Sequence, residues 1–414
     1  MNIKKGLTNF LPIKKINSFK KLLPQKSRND IKTIILILLS SFSFLIMWSN
    51  KNNLSPDNLA LWAETKAHLL TFGGNFPYTL EGEKISSNNI KINRRSIFAL
   101  SDTNLEILNT SGKSIRKSPH NFSNPKLKLN GLRAVVYDIG GKHFKIESVP
   151  KTIFEKETEK EIIAAAISCT GTYSIVTRST SHLSELKVYN KQNVEKYCYS
   201  FSDYYITDTD LNISGSHGVI SGISAENGEI ISEIYLLDFK KETPQEKFRF
   251  VNNMVTEISV LSNGNILAIG DKYTSFINPK SKKVQNYYYN EKILKFYDIN
   301  KYDGICFCIS SSINEINNDE IIYLDINGKE IIKFETSESF SSISQRKNKI
   351  LCLSFNKVIL YDISGKSNEY INSIHHAKKI ILLSHSKALL LTSHTINKIS
   401  VKKLKKFEPS KSEI

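Results

Sequence analysis

The stretch YLDINGK at residues 323–329 shows a pattern that recurs along this chain: an apolar pair, then Asp or Asn, then a turn with Gly or Lys. Seven stretches have it, and their Asp or Asn positions are Asn109, Asp138, Asn190, Asp238, Asn278, Asp325 and Asp362. Their separations range from 29 to 52 residues, with a mean of about 42. From Phe76 onward the runs between them are short and rich in Ile, Val, Tyr, Phe and Thr, without a helical period of 3.6.

A repeat of 40–50 residues in an all-strand chain predicts a β-propeller with one four-stranded sheet per blade. A single blade cannot bury both of its faces, so blades stack around an axis and the ring closes. We expect each marked turn to join the third and fourth strands of a blade. The sequence therefore predicts an all-β fold with 7–8 four-stranded blades.

Seven marked turns give seven blades, and the two ends of the propeller region can supply an eighth. Ile380–Leu391 and Thr395–Val401 resemble strands without a marked turn after them, and Phe76–Leu80 can complete their sheet. We favour eight blades. The irregular separations keep a second architecture open, namely two stacked β-sandwiches.

One apolar segment precedes the strands. Thr33–Trp48 carries no charge, and Ile31–Trp48 has about the length that a membrane-spanning helix needs. Nine Lys or Arg and one acid precede Thr33, so the positive-inside rule places the N-terminus in the cytoplasm and the propeller outside the cell. A cleaved signal peptide is the alternative, although the residues after Trp48 form no A-x-A-like site.

These observations divide the chain into five parts. Residues 1–30 form a basic cytoplasmic tail, 31–50 a transmembrane helix, and 51–75 a stalk or linker with a possible short helix at Ala60–Leu70. Residues 76–401 form the propeller and 402–414 a basic C-terminal tail. The chain of 414 residues has a net charge of +17, of which residues 1–32 hold +8. Because the excess is concentrated in the tail, it indicates membrane topology and argues against a nucleic-acid partner.

Residues 96–145 carry a resemblance to a known family. The stretches FALSDTNLEILNTSGKSI from Phe98, HNFSNP from His120 and RAVVYDIGG from Arg133 resemble a domain-of-unknown-function family of Gram-positive bacteria. The resemblance implies a single-pass, membrane-anchored propeller and supplies no catalytic residues. A looser likeness connects the repeats to quinoprotein and WD40 propellers, whose Trp-rich docking motif and Trp-Asp dipeptide this chain lacks.

Four short motifs have both a structural and a functional interpretation. We expect Ser101-Asp102-Thr103 to form a tight hairpin held by bonds from Asp102 to the backbone, and Phe122-x-Asn124-Pro125 to form a crossover between blades. Asp325-x-Asn327-Gly328 resembles the start of a calcium loop but lacks the distal Glu, so a turn is favoured. Arg133 with Asp138 is a candidate anion site on the axis.

The remaining motifs argue against several classes of site. His375-His376 is interpreted as a loop pair, and no Cys or His array has the spacing of a metal site. The five cysteines follow no disulfide framework, and we interpret all of them as small buried apolar residues: Cys169, Cys198, Cys306, Cys308 and Cys352. No nucleophile elbow, phosphate loop or dinucleotide motif occurs.

No catalytic, cofactor-binding or metal-binding residue is therefore predicted, and no cofactor. The function expected is a membrane-tethered extracytoplasmic binding or scaffold module. Its expected partners are membrane lipid through Ile31–Trp48 and either an envelope protein or an anionic wall polymer. The alternatives are an enzyme with a site on the axis, acting on glycan or peptide or as a quinone-type oxidoreductase, and a sensor.

Overall fold

A computed structural model describes residues 25–49, 55–71, 73–82, 85–93, 95–311, 319–336, 338–355, 357–362, 367–372, 376–384, 386–401 and 405–406. The chain divides into two compact units at Leu59–Ala60. Helix α1 spans Gln25–Ser49 and helix α2 spans Pro56–Leu69, which confirms the predicted short helix before the strands. The regular elements described after Tyr78 are β-strands.

The described side chains of α1 include nine large apolar residues from Ile34 to Leu45, and each is at least half exposed. Within the described part of the chain, neither helix combines the length and hydropathy needed to cross a membrane. The transmembrane helix predicted over 31–50 is therefore not confirmed, and the anchor remains a prediction.

The strands form eight antiparallel sheets, which are the eight blades of a propeller. In blades 1 to 7 the strands follow one another in sequence from the first, innermost strand to the fourth strand. Blade 1 is β2–β5 (Ile85–Asn93, Ser96–Ser101, Asn104–Asn109, Ser114–Pro119) and blade 2 is β6–β9 (Pro125–Asn130, Arg133–Asp138, His143–Ser148, Thr152–Glu157). Blade 3 is β10–β13 (Ile162–Ile167, Tyr173–Arg178, Ser184–Tyr189, Glu195–Phe201) and blade 4 is β14–β17 (Tyr205–Leu211, His217–Glu226, Glu229–Asp238, Glu246–Val251).

The second half of the ring repeats this arrangement. Blade 5 is β18–β21 (Val255–Val260, Ile266–Gly270, Tyr273–Asn278, Lys283–Tyr288) and blade 6 is β22–β25 (Ile293–Asn300, Gly304–Ser310, Asp319–Asp325, Glu330–Thr336). Blade 7 is β26–β29 (Phe340–Arg346, Lys349–Ser354, Lys357–Asp362, Ser367–Asn372), to which β33 (Lys405–Lys406) adds a fifth strand.

Blade 8 joins the two ends of the propeller. Its first three strands are β30 (Lys379–Ser384), β31 (Lys387–Leu391) and β32 (Thr395–Ser400), and its fourth is β1 (Tyr78–Thr79). Tyr78 pairs with Ile396 and Thr79 with Thr395. This confirms eight blades and the predicted closure by Phe76–Leu80, and it excludes two stacked sandwiches.

The core is divided among the interfaces between blades. Eight apolar clusters are found among the described residues, and each contains residues of two neighbouring blades. One of them packs Ile90 and Ile97 of blade 1 against Leu389 and Ile396 of blade 8, which completes the ring. Side chains alternate along a strand, so each blade supplies one face to each neighbour.

Six of the seven marked turns follow a third strand, as predicted. The prediction was wrong for Asp138, which ends β7, the second strand of blade 2. The corresponding third strand ends at Ser148, where no Asp or Asn is present. If Ser148 replaces Asp138 as the marker of blade 2, the separations from Asn109 and to Asn190 become 39 and 42 residues. The separations of 29 and 52 residues therefore arose because the Asp138 turn is of a different kind.

Candidate functional site on the propeller axis

The first strands of the blades bring charged side chains together around the axis. Lys128 of blade 2, Asp208 of blade 4 and Tyr297 of blade 6 influence one another electrostatically, directly or through Tyr137 and Glu257. Across the ring, Lys379 of blade 8 is affected by Lys91, Asp298 and Glu257, which belong to blades 1, 6 and 5. Groups from six blades therefore form one electrostatic cluster, which we call the axial cluster: Lys91, Lys128, Asp208, Glu257, Tyr297, Asp298 and Lys379.

The ion pair between Lys128 and Asp208 connects blades that are not neighbours. Lys128 Nζ contacts the Asp208 carboxylate and donates a hydrogen bond of 2.7 Å to the Thr209 carbonyl. Blade 3 lies between the two partners, and Ala164–Ala166 of its first strand are buried in the apolar clusters that it shares with blades 2 and 4. Burial alone would lower the pKa of Lys128, but the Asp208 carboxylate reverses this effect and the pKa is raised. The lysine is thus held charged.

Two aspartates of the first strands bind backbone amides of the next blade. Asp208 accepts from the Ile258 amide at 3.1 Å, and Asp210 accepts from the Val260 amide at 2.9 Å. First strands of neighbouring blades do not pair through their backbones, so their inward N–H groups need other acceptors. These carboxylates have a structural role in addition to any role in ligand binding.

Other polar side chains make the same kind of bond around the ring. Asp298 accepts from the Gln345 amide at 2.9 Å and from Ser344 Oγ at 3.0 Å. Ser342 and Ser344 Oγ accept from the amides of Ile380 and Leu382 at 3.2 and 3.0 Å. Asp210 also binds Lys301 Nζ at 2.6 Å, which ties blade 4 to blade 6.

Tyr297 and Glu257 form a short hydrogen bond within the axial cluster. Tyr297 Oη donates to Glu257 Oε2 at 2.5 Å. Burial and the neighbouring Glu257 carboxylate raise the pKa of the Tyr297 phenol, so it remains a donor at neutral pH. Nearby, burial raises the pKa of Tyr137 to about 12. The pair is a fixed donor–acceptor unit between blades 5 and 6.

The charge of Lys379, which belongs to the axial cluster, changes close to neutral pH. Burial and the positive charge of Lys91 lower the pKa of Lys379 to about 8. A lysine of this kind can bind an anion when protonated and act as an amine when neutral. Among the described residues, no group of three or more His, Cys, Asp or Glu side chains could hold a metal ion.

A second candidate surface is a groove of about 490 Å3 between the outer strands of blades 4 and 5. Phe248, Phe250 and Tyr273 are nearly buried at its base, while Val251 and Val284 are 45% and 41% exposed. Asn286, Lys247 and Arg249 complete the lining, and the two cations pair with Glu233 at 3.8 Å and with Glu226 at 2.5 Å. The groove is thus mainly apolar, and the two cations of its lining are balanced by neighbouring carboxylates.

The structure places the sequence-derived candidates away from the axis. Ser101 Oγ accepts from the Thr103 and Asn104 amides at 3.3 and 3.0 Å, which confirms the hairpin, although Ser101 and not Asp102 makes these bonds. The candidate anion site of Arg133 and Asp138 is not formed, because the two residues lie at opposite ends of a second strand. Arg133 donates to the Cys169 carbonyl at 3.0 Å.

Asp138 instead fixes the crossover that leads into blade 2. It accepts from the Ser123 and Asn124 amides at 3.1 and 2.6 Å, and Pro125 begins the next first strand. The predicted role of Phe122-x-Asn124-Pro125 as a crossover is thereby confirmed.

The Asp325 motif is a turn, as predicted. Asp325 Oδ1 accepts from the Asn327 and Lys329 amides at 2.8 and 2.9 Å, and Gly328 has φ 82°. Of the histidine pair, His375 lies outside the described residues and His376 belongs to the crossover between blades 7 and 8.

The prediction that all five cysteines are buried holds for three of them. Cys306, Cys308 and Cys352 are fully buried, and they pack in one cluster between blades 6 and 7. Cys169 is half-buried and Cys198 is exposed, so the prediction was wrong for Cys198.

Comparison with known proteins identifies the family and the fold. A model of a family of unknown function, DUF5711, matches residues 78–401, and no curated protein matches significantly. The C-terminal WD40 domain of Sif2 is 10% identical, with a TM-score of 0.53 over 80% of this chain and 99% of that one. A structure titled eukaryotic initiation factor is 10% identical, with a TM-score of 0.54 over 80% and 89%.

A quinohemoprotein alcohol dehydrogenase, ADHIIG from Pseudomonas putida HK5, is 7% identical, with a TM-score of 0.55 over 81% of this chain and 78% of that one. These likenesses confirm the expected relation to WD40 and quinoprotein propellers in fold alone. The family match covers most of the chain, so the chain belongs to the DUF5711 family.

Proposed function

We propose that this member of the DUF5711 family is a membrane-tethered binding module whose propeller lies outside the cell and recognises a protein or an envelope polymer. The groove between blades 4 and 5 carries this proposal. Its exposed Val251 and Val284 lie beside the nearly buried Phe248 and Phe250, an arrangement that fits an extended protein segment with apolar side chains. A binding role also agrees with the axis, where most carboxylates are engaged in bonds between blades.

Two features support the tether. The α1 residues Ile34–Leu45 expose large apolar side chains to their surroundings, and Thr33–Trp48 contains no charge. The Lys and Arg residues that precede this segment favour a cytoplasmic N-terminus. The expected result of alkaline carbonate extraction is that the full chain stays with the membrane pellet. Recovery in the supernatant would overturn the tether.

The groove is tested by photocrosslinking with the full chain in intact cells. A benzophenone amino acid replaces Val284 in the groove or, as a matched control, Val194, an exposed valine in the turn between β12 and β13. We expect a discrete adduct from position 284 and none from position 194. The same adduct pattern from both positions, or no adduct at 284, would contradict recognition by this groove.

One observation favours a second function, an enzyme with its site on the axis. Lys379, with its pKa lowered to about 8, has the reactivity that a catalytic amine needs. If the axis is a catalytic site, K379M abolishes turnover of a glycan or peptide substrate while groove crosslinking at position 284 persists. An unchanged activity in K379M would exclude the axial lysine from catalysis.

A further inference from the structure

The two faces of the propeller carry turns of different kinds. The first strands run in one direction around the ring, since Asp208 and Asp210 bind Ile258 and Val260 of the next blade in the same order. Within each antiparallel blade, the turns between strands one and two and between strands three and four therefore emerge on one face. The turns between strands two and three and the crossovers to the next blade emerge on the opposite face.

The charges of these turns are strongly divided between the faces. On the first face, the described turn residues include eleven Lys or Arg and two acids, Glu242 and Asp303. On the opposite face, they include five lysines and eight acids. The cations of the first face, which we call the basic face, are Arg95, Lys113, Lys151, Lys191, Lys240, Lys241, Lys280, Lys282, Lys301, Lys329 and Lys347.

The cations of the basic face are spread around the whole ring. Each of blades 1 to 7 contributes at least one, and eight of the eleven residues are exposed. Some have carboxylate neighbours, as in the pair of Lys282 with Glu246 at 2.6 Å, but the face has few acids of its own. A linear polyanion would contact a stripe of such a ring, whereas a planar anionic surface can contact all of it. The distribution therefore favours a planar partner.

The polypeptide also enters the propeller at the basic face. Glu64 of α2 pairs with Lys151 at 3.4 Å, in a turn of this face. The carbonyls of Thr71 and Gly73 accept hydrogen bonds from Asn109 and Ser111, at the turn between β4 and β5, at 3.1 and 3.0 Å. The segment that would follow a membrane anchor is thus bound to this face and not to the acidic one.

We propose that the basic face docks on the anionic headgroups of a lipid bilayer, an inference that rests on the proposed tether. Lysines close to an anionic leaflet are attracted by its surface potential, and the attraction acts within about a Debye length of the surface. The acidic opposite face is repelled by the same potential. Docking then leaves the opposite face and the groove on the side of the propeller available to other partners.

The test is lysine footprinting of the full chain in vesicles. The purified chain is reconstituted in phosphatidylcholine alone or with phosphatidylglycerol, acylated briefly at low salt, and analysed by mass spectrometry. We expect anionic lipid to reduce the acylation of Lys240 and Lys280 by about fivefold. This is the population ratio that corresponds to the attraction of one lysine to an anionic surface, about 1 kcal/mol. Acylation of Lys142 and Lys160, exposed lysines of the opposite face, should not change. Salt at about 1 M should abolish the protection, because it shortens the Debye length to about 3 Å.

Charge reversal provides the matched variants. K240E/K241E/K280E/K282E should remove the protection of Lys329, an exposed cation of blade 6, while K142E/K160E on the opposite face should leave it intact. Equal acylation of both faces, protection that salt does not remove, or protection by soluble polyphosphate but not by anionic lipid would overturn the inference.

The same preparation separates this inference from the tether. Flotation of the chain in a density gradient with both vesicle types, without face-selective protection, would support the tether and overturn the docking. Flotation with anionic vesicles only, and only when the four lysines of the charge-reversal variant are intact, would support the docking and overturn the tether. A chain that floats with neither overturns both.

Discussion

Replacing Lys128 with Met tests the ion pair of the axial cluster that connects blades 2 and 4. The substitution removes the ammonium that contacts Asp208, while the methionine keeps most of the side-chain volume. Asp208, with a side chain 10% exposed, keeps its bond from the Ile258 amide but loses its counter-charge. Breaking a buried pair by removing one partner usually costs about 3–5 kcal/mol of unfolding free energy.

Protonation of Asp208 limits this loss and gives it a pH dependence. Protonating a carboxyl with the ordinary pKa of 3.8 costs about 4 kcal/mol at pH 7 and about 2 kcal/mol at pH 5. In the variant, burial without Lys128 raises the folded-state pKa of Asp208 above its unfolded value. The variant is therefore least stable above that raised pKa and recovers stability as the pH falls. The expected loss is about 3–4 kcal/mol at pH 7 and at most about 2 kcal/mol at pH 5.

Urea unfolding of the full chain, followed by far-ultraviolet circular dichroism at both pH values, measures the effect. K126M, in the same strand and on the same side of it, serves as the control and should change the unfolding free energy by less than about 1 kcal/mol. Adding D208N to K128M removes the uncompensated charge and should restore most of the loss. A loss below about 1 kcal/mol in K128M, or an equal loss at the two pH values, would refute the reasoning.

Three further predictions concern single residues. Glu147 is fully buried and binds Arg116, so E147Q should lower the free energy of unfolding in urea by about 3 kcal/mol. The control E81Q, in an exposed ion pair, should lower it by less than about 1 kcal/mol. Similar losses in the two variants would contradict the burial argument. In an NMR titration of the chain with dimethylated lysines, one resonance should have a midpoint near pH 8, and it should be absent from K379M. A spectrum in which every lysine titrates above pH 10 would rule this out. Gly304 has φ 128°, and a Cβ added there would overlap the Leu324 carbonyl oxygen, so G304A should lower the melting temperature. An unchanged melting temperature would contradict this argument.

The propeller could be predicted from the sequence because its third-strand turns repeat a local chemical pattern. In the Asp325 turn, one carboxylate oxygen binds two backbone amides across a glycine with positive φ, and this requires Asp or Asn followed closely by Gly. Asp138 was wrongly assigned to a third-strand turn because the same residue type has a different role there, holding the crossover that leads into its own blade. A local pattern does not reveal which strand it terminates.

The axial cluster could not be predicted, for a reason that Lys128 and Asp208 illustrate. Eighty residues separate them in sequence, and their contact depends on the ring placing blade 2 beside blade 3 and blade 3 beside blade 4. The signal available in the sequence was the presence of Asp208 and Asp210 in a strand otherwise suited to burial, Tyr205–Leu211. Identifying such residues as axial requires knowing that this is a first strand, and only the assembled blades show it.

Blade 8 has a consequence for how the protein is made. Its outermost strand, Tyr78–Thr79, leaves the ribosome more than three hundred residues before its partner Thr395–Ser400. Until synthesis reaches that partner, Tyr78–Thr79 has an unpaired strand edge, and blade 1 has an apolar face without its neighbour. Closure of the ring therefore depends on a strand pairing across more than three hundred residues, and contacts so distant in sequence form slowly and leave the chain prone to aggregation. A nascent chain of this type needs protection of its early blades, by a chaperone or by delayed release, until the last strand of the ring has been translated.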